Sequence, residues 1–272
     1  MTVINTNISS IQAQTAMRTT RASTEKAMER LSTGMKINFA GDDAAGLAIS
    51  SRMTSQIKGL NMAVKNAQDG ISLTQTAEGA LGEVQNMLQR MRELSLQAAS
   101  DTNSADDRSY LETELKALST EIDRVASTTI FNNKLLFSGS DFGTFSGNGT
   151  PTSPSTVTLK IQVGSNAGVS DGVEITLQET SAAALGVEVG TGKLELTDGA
   201  SSLTAVTAVD AALKNITNLR SSFGAIQNRL EHTVANLTNI ATNTELARSR
   251  IQDADYAQET SNMTRGQILQ QA

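Results

Sequence analysis

The chain has 272 residues, a formal net charge of -6 and 38% hydrophobic residues, values that fit a folded protein of one or two domains. It has no Cys and a single histidine, His232, which excludes disulfides, thiolate nucleophiles and cysteine metal centres and leaves little room for imidazole chemistry. Aromatic residues make up only 3%, with two Pro and no Trp, so a helical bundle of aliphatic and small side chains is expected rather than a globule built on aromatic anchors.

The start, Met1 to Ala16, is polar and weakly amphipathic, without a charged segment followed by an apolar run and a cleavage site; a cleaved export peptide is not expected. Nowhere do about 18 apolar residues follow one another, so a soluble chain without a membrane span is expected. Residues 1–68 hold eight basic and four acidic side chains, and 141–202 hold two basic and seven acidic. The basic excess is too diluted, and too poor in aromatic neighbours, to predict a nucleic-acid surface.

In chain order, Ile4, Ile8, Ile11 and Thr15 make a thin stripe, continued loosely by Met28, Leu31 and Met35; such marginal helices gain order by packing on others. Gly34, Gly41 and Gly46 form no phosphate-binding pattern and predict a bend between this segment and the next helix. Asp42 and Asp43 are adjacent, so they do not face one way as a metal pair would, and no ring of oxygen ligands surrounds them; helix capping is the reading they support. From about Ser72 to Ser100, Leu73, Ala77, Ala80, Val84, Met87, Met91, Leu94 and Ala98 recur at spacings of four and three, the seam of a coiled coil or long bundle helix.

Ser104 with Asp107 resembles a capping box, and Leu111, Leu115, Leu118, Ile122 and Val125 follow in the same rhythm, so an antiparallel hairpin of two helices is predicted. Residues 138–155 are rich in Gly, Ser and Thr and contain Pro151 and Pro154, and Asn148-Gly149-Thr150 is a weak N-glycosylation pattern. Strict alternation then runs through Val157, Leu159, Ile161 and Val163, and through Val173, Ile175 and Leu177 after the turn signal Asp171-Gly172. Leu185, Val187 and Val189, then Leu194 and Leu196, repeat it around Gly190 and Gly192, which predicts further strands. This β-rich insertion is too short to bury much core alone and should lean on the helices beside it.

Val206, Val209, Leu213, Ile216, Phe223, Ile226, Leu230, Val234, Leu237 and Ile240 mark a last long stripe. A single helix over 206–250 would be about 67 Å long at 1.5 Å per residue, which predicts a rod. His232 falls off this stripe and is expected in solvent, and Met263, Ile268 and Leu269 are sparse anchors near the end. The expected fold is mainly α, an elongated, antiparallel, coiled-coil-like bundle of long helices with a small β-rich insertion. Its segments are 1–45, 46–137, 138–202 (the insertion), 203–252 and 253–272. The seam is expected to include Leu73, Val84, Met87, Met91, Leu115, Leu118, Ile122, Phe223, Ile226, Leu230 and Leu237.

Several runs closely resemble bacterial flagellin. They are Val3-Ile4-Asn5-Thr6-Asn7, Arg30-Leu31-Ser32-Thr33-Gly34 with Lys36-Ile37-Asn38, and Asp42-Asp43-Ala44-Ala45-Gly46-Leu47-Ala48-Ile49. Asn66-Ala67-Gln68-Asp69-Gly70-Ile71-Ser72, Gln75 to Leu81, Gln89-Arg90-Met91-Arg92-Glu93-Leu94 and Phe131-Asn132-Asn133-Lys134 continue the likeness. Toward the other end it is carried by Leu219-Arg220, Gly224 to Leu230 and Ala247 to Ala257. The resemblance spans roughly 1–137 and 203–272, and ordered matches at both ends are far more specific than one heptad stripe.

The resemblance implies a self-assembling structural subunit whose chain ends pair in the inner core of the extracellular flagellar filament, with a bundle outside them and a variable insertion facing solvent. It implies a homopolymer for swimming motility, no cofactor or metal, and export through the flagellar type III channel without a cleaved signal peptide. An export chaperone gripping the C-terminal region and the filament cap and junction proteins are the further partners it implies. The set Gly34, Gly41, Asp42, Asp43 and Gly46 would lie at the hinge between core and bundle. Gln89, Arg90, Leu94 and Glu114 match positions gripped by an innate immune receptor, on a surface that neighbouring subunits cover; read from the residues alone, Arg90 and Glu114 are solvated charges and Leu94 is core. Family members run on past the point matching Gln267 to Ala272, so the resemblance also implies a C-terminally trimmed chain, for which a monomer is expected.

A hook–filament junction protein shares the terminal signatures and is the alternative, disfavoured by the dense matches at 66–94 and 219–257. An enzyme is not expected: there is no His-Glu-x-x-His, the insertion holds no His or Cys, and a serine hydrolase would want a Gly-x-Ser-x-Gly elbow plus a base, whereas the single His falls in a long helical stretch. A ligand-binding role for the insertion stays open.

Overall fold

The computed structural model describes residues 7–138, 155–165, 171–190 and 194–271. Ile4 of the first stripe, Asn148-Gly149-Thr150, Pro151, Pro154, Gly192 and Ala272 lie outside the described residues. The described chain forms two compact units, one from residues 1–61 with 238–272 and the other from Met62 to Leu237. The division falls inside the two longest helices rather than at the helix breaks near 45 and 252.

In the second unit, helix α2 (Ala44–Ala98) supplies residues from Met62 onward. It turns back through residues 99–104 into α3 (Ala105–Thr128), started by the capping box that the sequence indicates: Ser104 Oγ accepts from Asp107 N while Asp107 accepts from Ser104 N. Arg108 donates to the Ala98 carbonyl and Arg90 meets Glu114, so α2 and α3 run antiparallel. After α3, a small hairpin joins β1 (Ile130–Phe131) to β2 (Lys134–Leu135). Its turn residues Asn132 and Asn133 have φ of 48° and 62°, the left-handed pair that a two-residue type I′ turn demands. Asn tolerates that conformation better than any other residue except Gly.

The long helix α5 (Gly199–Gln252) returns beside α2. Arg92 pairs with Asp210, Glu78 with Arg220 and Gln227, and Gly70 lies against Leu230, a descending and ascending order that makes the two helices antiparallel. Among the expected seam residues, Leu73, Val84, Met91, Leu115, Ile122, Phe223, Leu230 and Leu237 are buried, while Met87, Leu118 and Ile226 are half-buried against the core. Leu81 and Leu88, which the four-three stripe passes over, are fully buried, and Ala80 is only partly so. The face α2 presents is wider than a two-helix seam because α3, α5 and the insertion all pack on the same core, and a broader apolar arc is needed to meet them.

Among its described residues the insertion contains one antiparallel pair, β3 (Thr156–Gln162) with β4 (Gly172–Gln178). Val157 sits opposite Leu177, Leu159 opposite Ile175 and Ile161 opposite Val173, so the alternating apolar residues share the face turned to the core. Among the described residues the predicted strands beyond it are not formed. Ala182–Leu185 is a helical turn, α4, capped by Ser181 and ended by Gly186 at φ 72°. Val189 and Leu194 make one isolated bridge. Leu185, Val187, Val189, Leu194 and Leu196 are nevertheless buried, because the helices already supply the core surface and each side chain can be buried without a ladder. Asp123 of α3 accepts from Ala182 N, and Asn66 of α2 donates to the Gln162 carbonyl; both tie the insertion to the helices.

In the first unit, α1 (Ile8–Thr33) starts at Asn7, whose side chain accepts from Ser10 N, and stops at Gly34. Helix α6 (Tyr256–Gln271) follows a break at 253–255, where Asp255 accepts from Ala257 N. An isolated antiparallel bridge joins Met35 to Asp253, with Lys36 N donating to the Gln252 carbonyl and Ala254 N to that of Gly34. Nearby, Arg248 of α5 donates to Thr54 of α2 at 3.1 Å.

Candidate functional site

The candidate site residues lie in two regions: the paired terminal helices of the first unit with the bend that follows α1, and the α2–α3 surface of the second. Helix α6 lies antiparallel along α1, with Arg30 bound to Glu259 at 2.8 Å and Thr24 against Gly266. A Cβ added to Gly266 would overlap Thr24 Oγ1, so this approach needs glycine. Contact between the helices buries only Thr24 and Ala27 on α1 and Glu259 and Gly266 on α6. Ile8, Ile11, Met17 and Met28 of α1 and Tyr256, Ile268 and Leu269 of α6 stay exposed. Apolar side chains left in water on two paired helices make a surface that a protein partner can cover.

The bend from α1 to α2 shows what each of its residues does. Gly34 has φ 73°, and its N–H donates to the Arg30 carbonyl as the left-handed end of α1. Asp42 bonds Lys26 at 2.7 Å and accepts from the N–H groups of Asn38 and Phe39. The Lys26 hydrogen bond first, then those two N–H groups, hold its carboxyl down at about 2. Asp43 caps α2 by accepting from Gly46 N at 2.9 Å. A Cβ at Gly46 would come within 2.6 Å of Ile37 Cδ1, whereas nothing approaches Gly41.

On the α2–α3 surface, Gln89, Arg90 and Glu114 are exposed and Arg90 bridges Glu114 and Glu93. Glu114 and then Glu93 push the Arg90 guanidinium still higher than its ordinary value. Leu94 does not belong with them: at 1% exposure it points into the bundle core, as its place in the apolar stripe requires. His232 is exposed on α5. Among the described residues no three His, Cys, Asp or Glu gather as a metal site would require, and no helix is long and apolar enough to cross a membrane.

The cross-helix ion pairs were not legible beforehand. Arg30 and Glu259 stand 229 residues apart, and neither lies in an apolar pattern that would bring them together. The run of Arg30 and the capping Asp255 on either side of the two breaks is the nearest sequence signal, and it specifies no partner.

Long antiparallel helices, sparse apolar stripes left uncovered on the terminal pair and polar groups used for capping and cross-bracing define a structural, self-assembling helical protein. The bacterial flagellin N-terminal helical region matches residues 4–141, and the bacterial flagellin C-terminal helical region matches 206–272. The chain is 43% identical to a flagellin of Halalkalibacterium halodurans, over 99% of this chain and 92% of that one. It is 42% identical to the flagellar filament 33 kDa core protein of Treponema phagedenis, over 99% and 93%. The crystal structure of Bacillus cereus flagellin is 35% identical, with a TM-score of 0.48, covering 68% of this chain and 94% of that one. The chain belongs to the bacterial flagellin family. It is a structural subunit that self-assembles into the extracellular flagellar filament of a motile bacterium.

Proposed function

We propose that neighbouring subunits meet through the terminal helices, covering Ile8, Ile11, Met17 and Met28 on α1 with Ile268 and Leu269 on α6. The exposure of those side chains on a helix pair that buries so little of its own surface is the observation that carries this reading. Residues 34–46, with Gly34, Gly41, Asp42, Asp43 and Gly46, act as the joint between α1 and α2. Before export a chaperone covers the apolar residues of the C-terminal region, and the chain leaves through the flagellar export channel without losing a signal peptide. Cap and junction proteins meet the same terminal helices at the two ends of the filament. Gln89, Arg90 and Glu114 form a second contact surface, open to an innate immune receptor in the free subunit and covered in the filament, so the two partners compete.

Seeded polymerisation followed by light scattering and electron microscopy tests the first part. Filaments are expected from the full-length subunit, with elongation slowed by polar substitutions at Ile268 and Leu269. Unchanged elongation by those variants would remove the terminal helices from the contact. Immobilised receptor ectodomain should bind free subunit and lose that binding on Arg90→Glu, while retained binding would reject the α2–α3 surface.

A further inference from the structure

We propose that two contacts select the register in which α6 lies along α1: the Arg30–Glu259 ion pair names the acidic residue, and the Thr24–Gly266 notch forbids the neighbouring turn. The proposal rests on the assembly reading, because a displaced α6 would offer neighbours a different stripe.

The apolar pattern holds little register information. None of Thr24, Ala27, Glu259 and Gly266, the residues buried on the pair, is a large apolar knob that would fit one hole and no other. A buried polar contact is the usual substitute, fixing register at some cost in stability. Arg30 and Glu259 fit that pattern. Their side chains are 22% and 10% exposed, the bond is 2.8 Å long, and Arg30 Nε is buried without a partner, so the pair is not arranged for greatest stability.

An acid opposite Arg30 does not specify the register alone. Asp255 stands four residues before Glu259, so a one-turn shift would give Arg30 another carboxylate. That same shift brings Asn262 to the place of Gly266. There even a methyl group would overlap Thr24 Oγ1 and come within 3.3 Å of its Cβ. Thr24 is held in place: its hydroxyl donates to the Thr20 carbonyl at 2.8 Å and accepts from Gln270 Nε2 at 3.3 Å. The opposite shift sets Gln270 at the notch and Met263 before Arg30, leaving a guanidinium without its carboxylate. The notch thus excludes both shifted registers, since each places a side chain against Thr24, and the ion pair excludes the second of them as well.

The chain has no native Cys, so nitroxide labels can be attached at Thr15→Cys on α1 and Gln258→Cys on α6, both exposed, in the otherwise intact chain. Pulsed dipolar spectroscopy should give one distance for this parent. Gly266→Ala sets a methyl group in the notch, and a one-turn shift either way sets Asn262 or Gln270 there instead, so the single parental distance should broaden rather than jump to one new value. Glu259→Gln should split the distribution, and Arg30→Glu should lose the parental distance. The exchanged pair Arg30→Glu with Glu259→Arg should restore it, an outcome that general weakening of either helix would not produce. Retention of the parental distance by both Gly266→Ala and Glu259→Gln would overturn the proposal and leave the Met35–Asp253 bridge as sufficient. Failure of the exchanged pair to restore it would overturn it as well. A full-length parent with one distance that never polymerises would instead count against the assembly reading and leave the register lock standing.

Discussion

The Asp123 carboxylate of α3 accepts a 2.7 Å hydrogen bond from the main-chain N–H of Ala182, at the first turn of α4. One residue on a bundle helix thereby caps an element of the insertion 59 positions later. Replacing it with Ala removes that acceptor and should cost about 1 kcal/mol. A urea titration of Asp123→Ala should show a lower midpoint with an unchanged slope. An insertion held only by its apolar contacts would show no change.

The core offers a sharper contrast. Leu81 and Leu88 are fully buried on α2, while Met87 is only half-buried beside them. Leu81→Ala and Leu88→Ala should each destabilise the second unit by about 2–5 kcal/mol, through lost burial and the cavity left behind. Met87→Ala should cost distinctly less. Thermal or denaturant unfolding of the three variants gives the order directly; equal losses would return the core to the narrow seam.

That contrast marks how far the sequence could be read. The helices, the capping box at Ser104 and the β3–β4 pair were legible because each rests on a local rule: a 3.6-residue stripe, a cap three residues from its partner, an alternation of period two. Leu81 and Leu88 were not, since a four-three seam describes a helix meeting one neighbour and α2 meets several. Leu185 to Leu196 alternates like strands yet is mostly irregular, because alternation reports which side chains are buried and not whether a ladder covers the backbone. The candidate site divided along the same line. The capping of Asp43 and the break at Gly34 follow from neighbours in sequence, whereas Arg30 with Glu259 depends on where the two chain ends meet.

Asn132 and Asn133 provide a test of local conformation. Both have positive φ, so Asn133→Gly should be tolerated or stabilising by a few tenths of a kcal/mol. Asn133→Val, a β-branched residue forced into the left-handed region, should cost about 1–2 kcal/mol. Differential scanning calorimetry of the pair is sufficient, and a Val variant as stable as the Gly variant would mean that the hairpin turn is free to rearrange.

Acid should loosen the bend between α1 and α2 as the pH falls from about 4 toward 2. Asp42 is held near pH 2 in the folded chain, below its ordinary value of 3.8. Its stabilising contribution is therefore complete above about pH 4 and disappears as the pH falls toward 2. Asp107 and Asp198, lowered by Ser104 and by the Ser201 backbone N–H respectively, act in the same direction at the starts of α3 and α5. NMR titration of the Asp42 carboxyl should give the low midpoint, and Lys26→Met should raise it. A midpoint near 3.8 in the wild-type chain would show that the Lys26 bond is not formed in solution.

The terminal stripe sets the scale of assembly. Ile268 and Leu269 are 60% and 57% exposed on α6, so covering either one removes more than half of a large aliphatic side chain from water. Full burial of such a side chain is worth about 1.5–3 kcal/mol, so each should contribute about 1–2 kcal/mol to adding a subunit. Since 1.4 kcal/mol is a factor of ten in an equilibrium constant, Ile268→Ser or Leu269→Ser should raise the critical concentration for polymerisation about tenfold. Both positions are already in water in the free subunit, so its unfolding midpoint should barely move. A critical concentration that stays put while the midpoint falls would reverse the assignment, making these residues supports of the subunit's own fold rather than contacts between subunits.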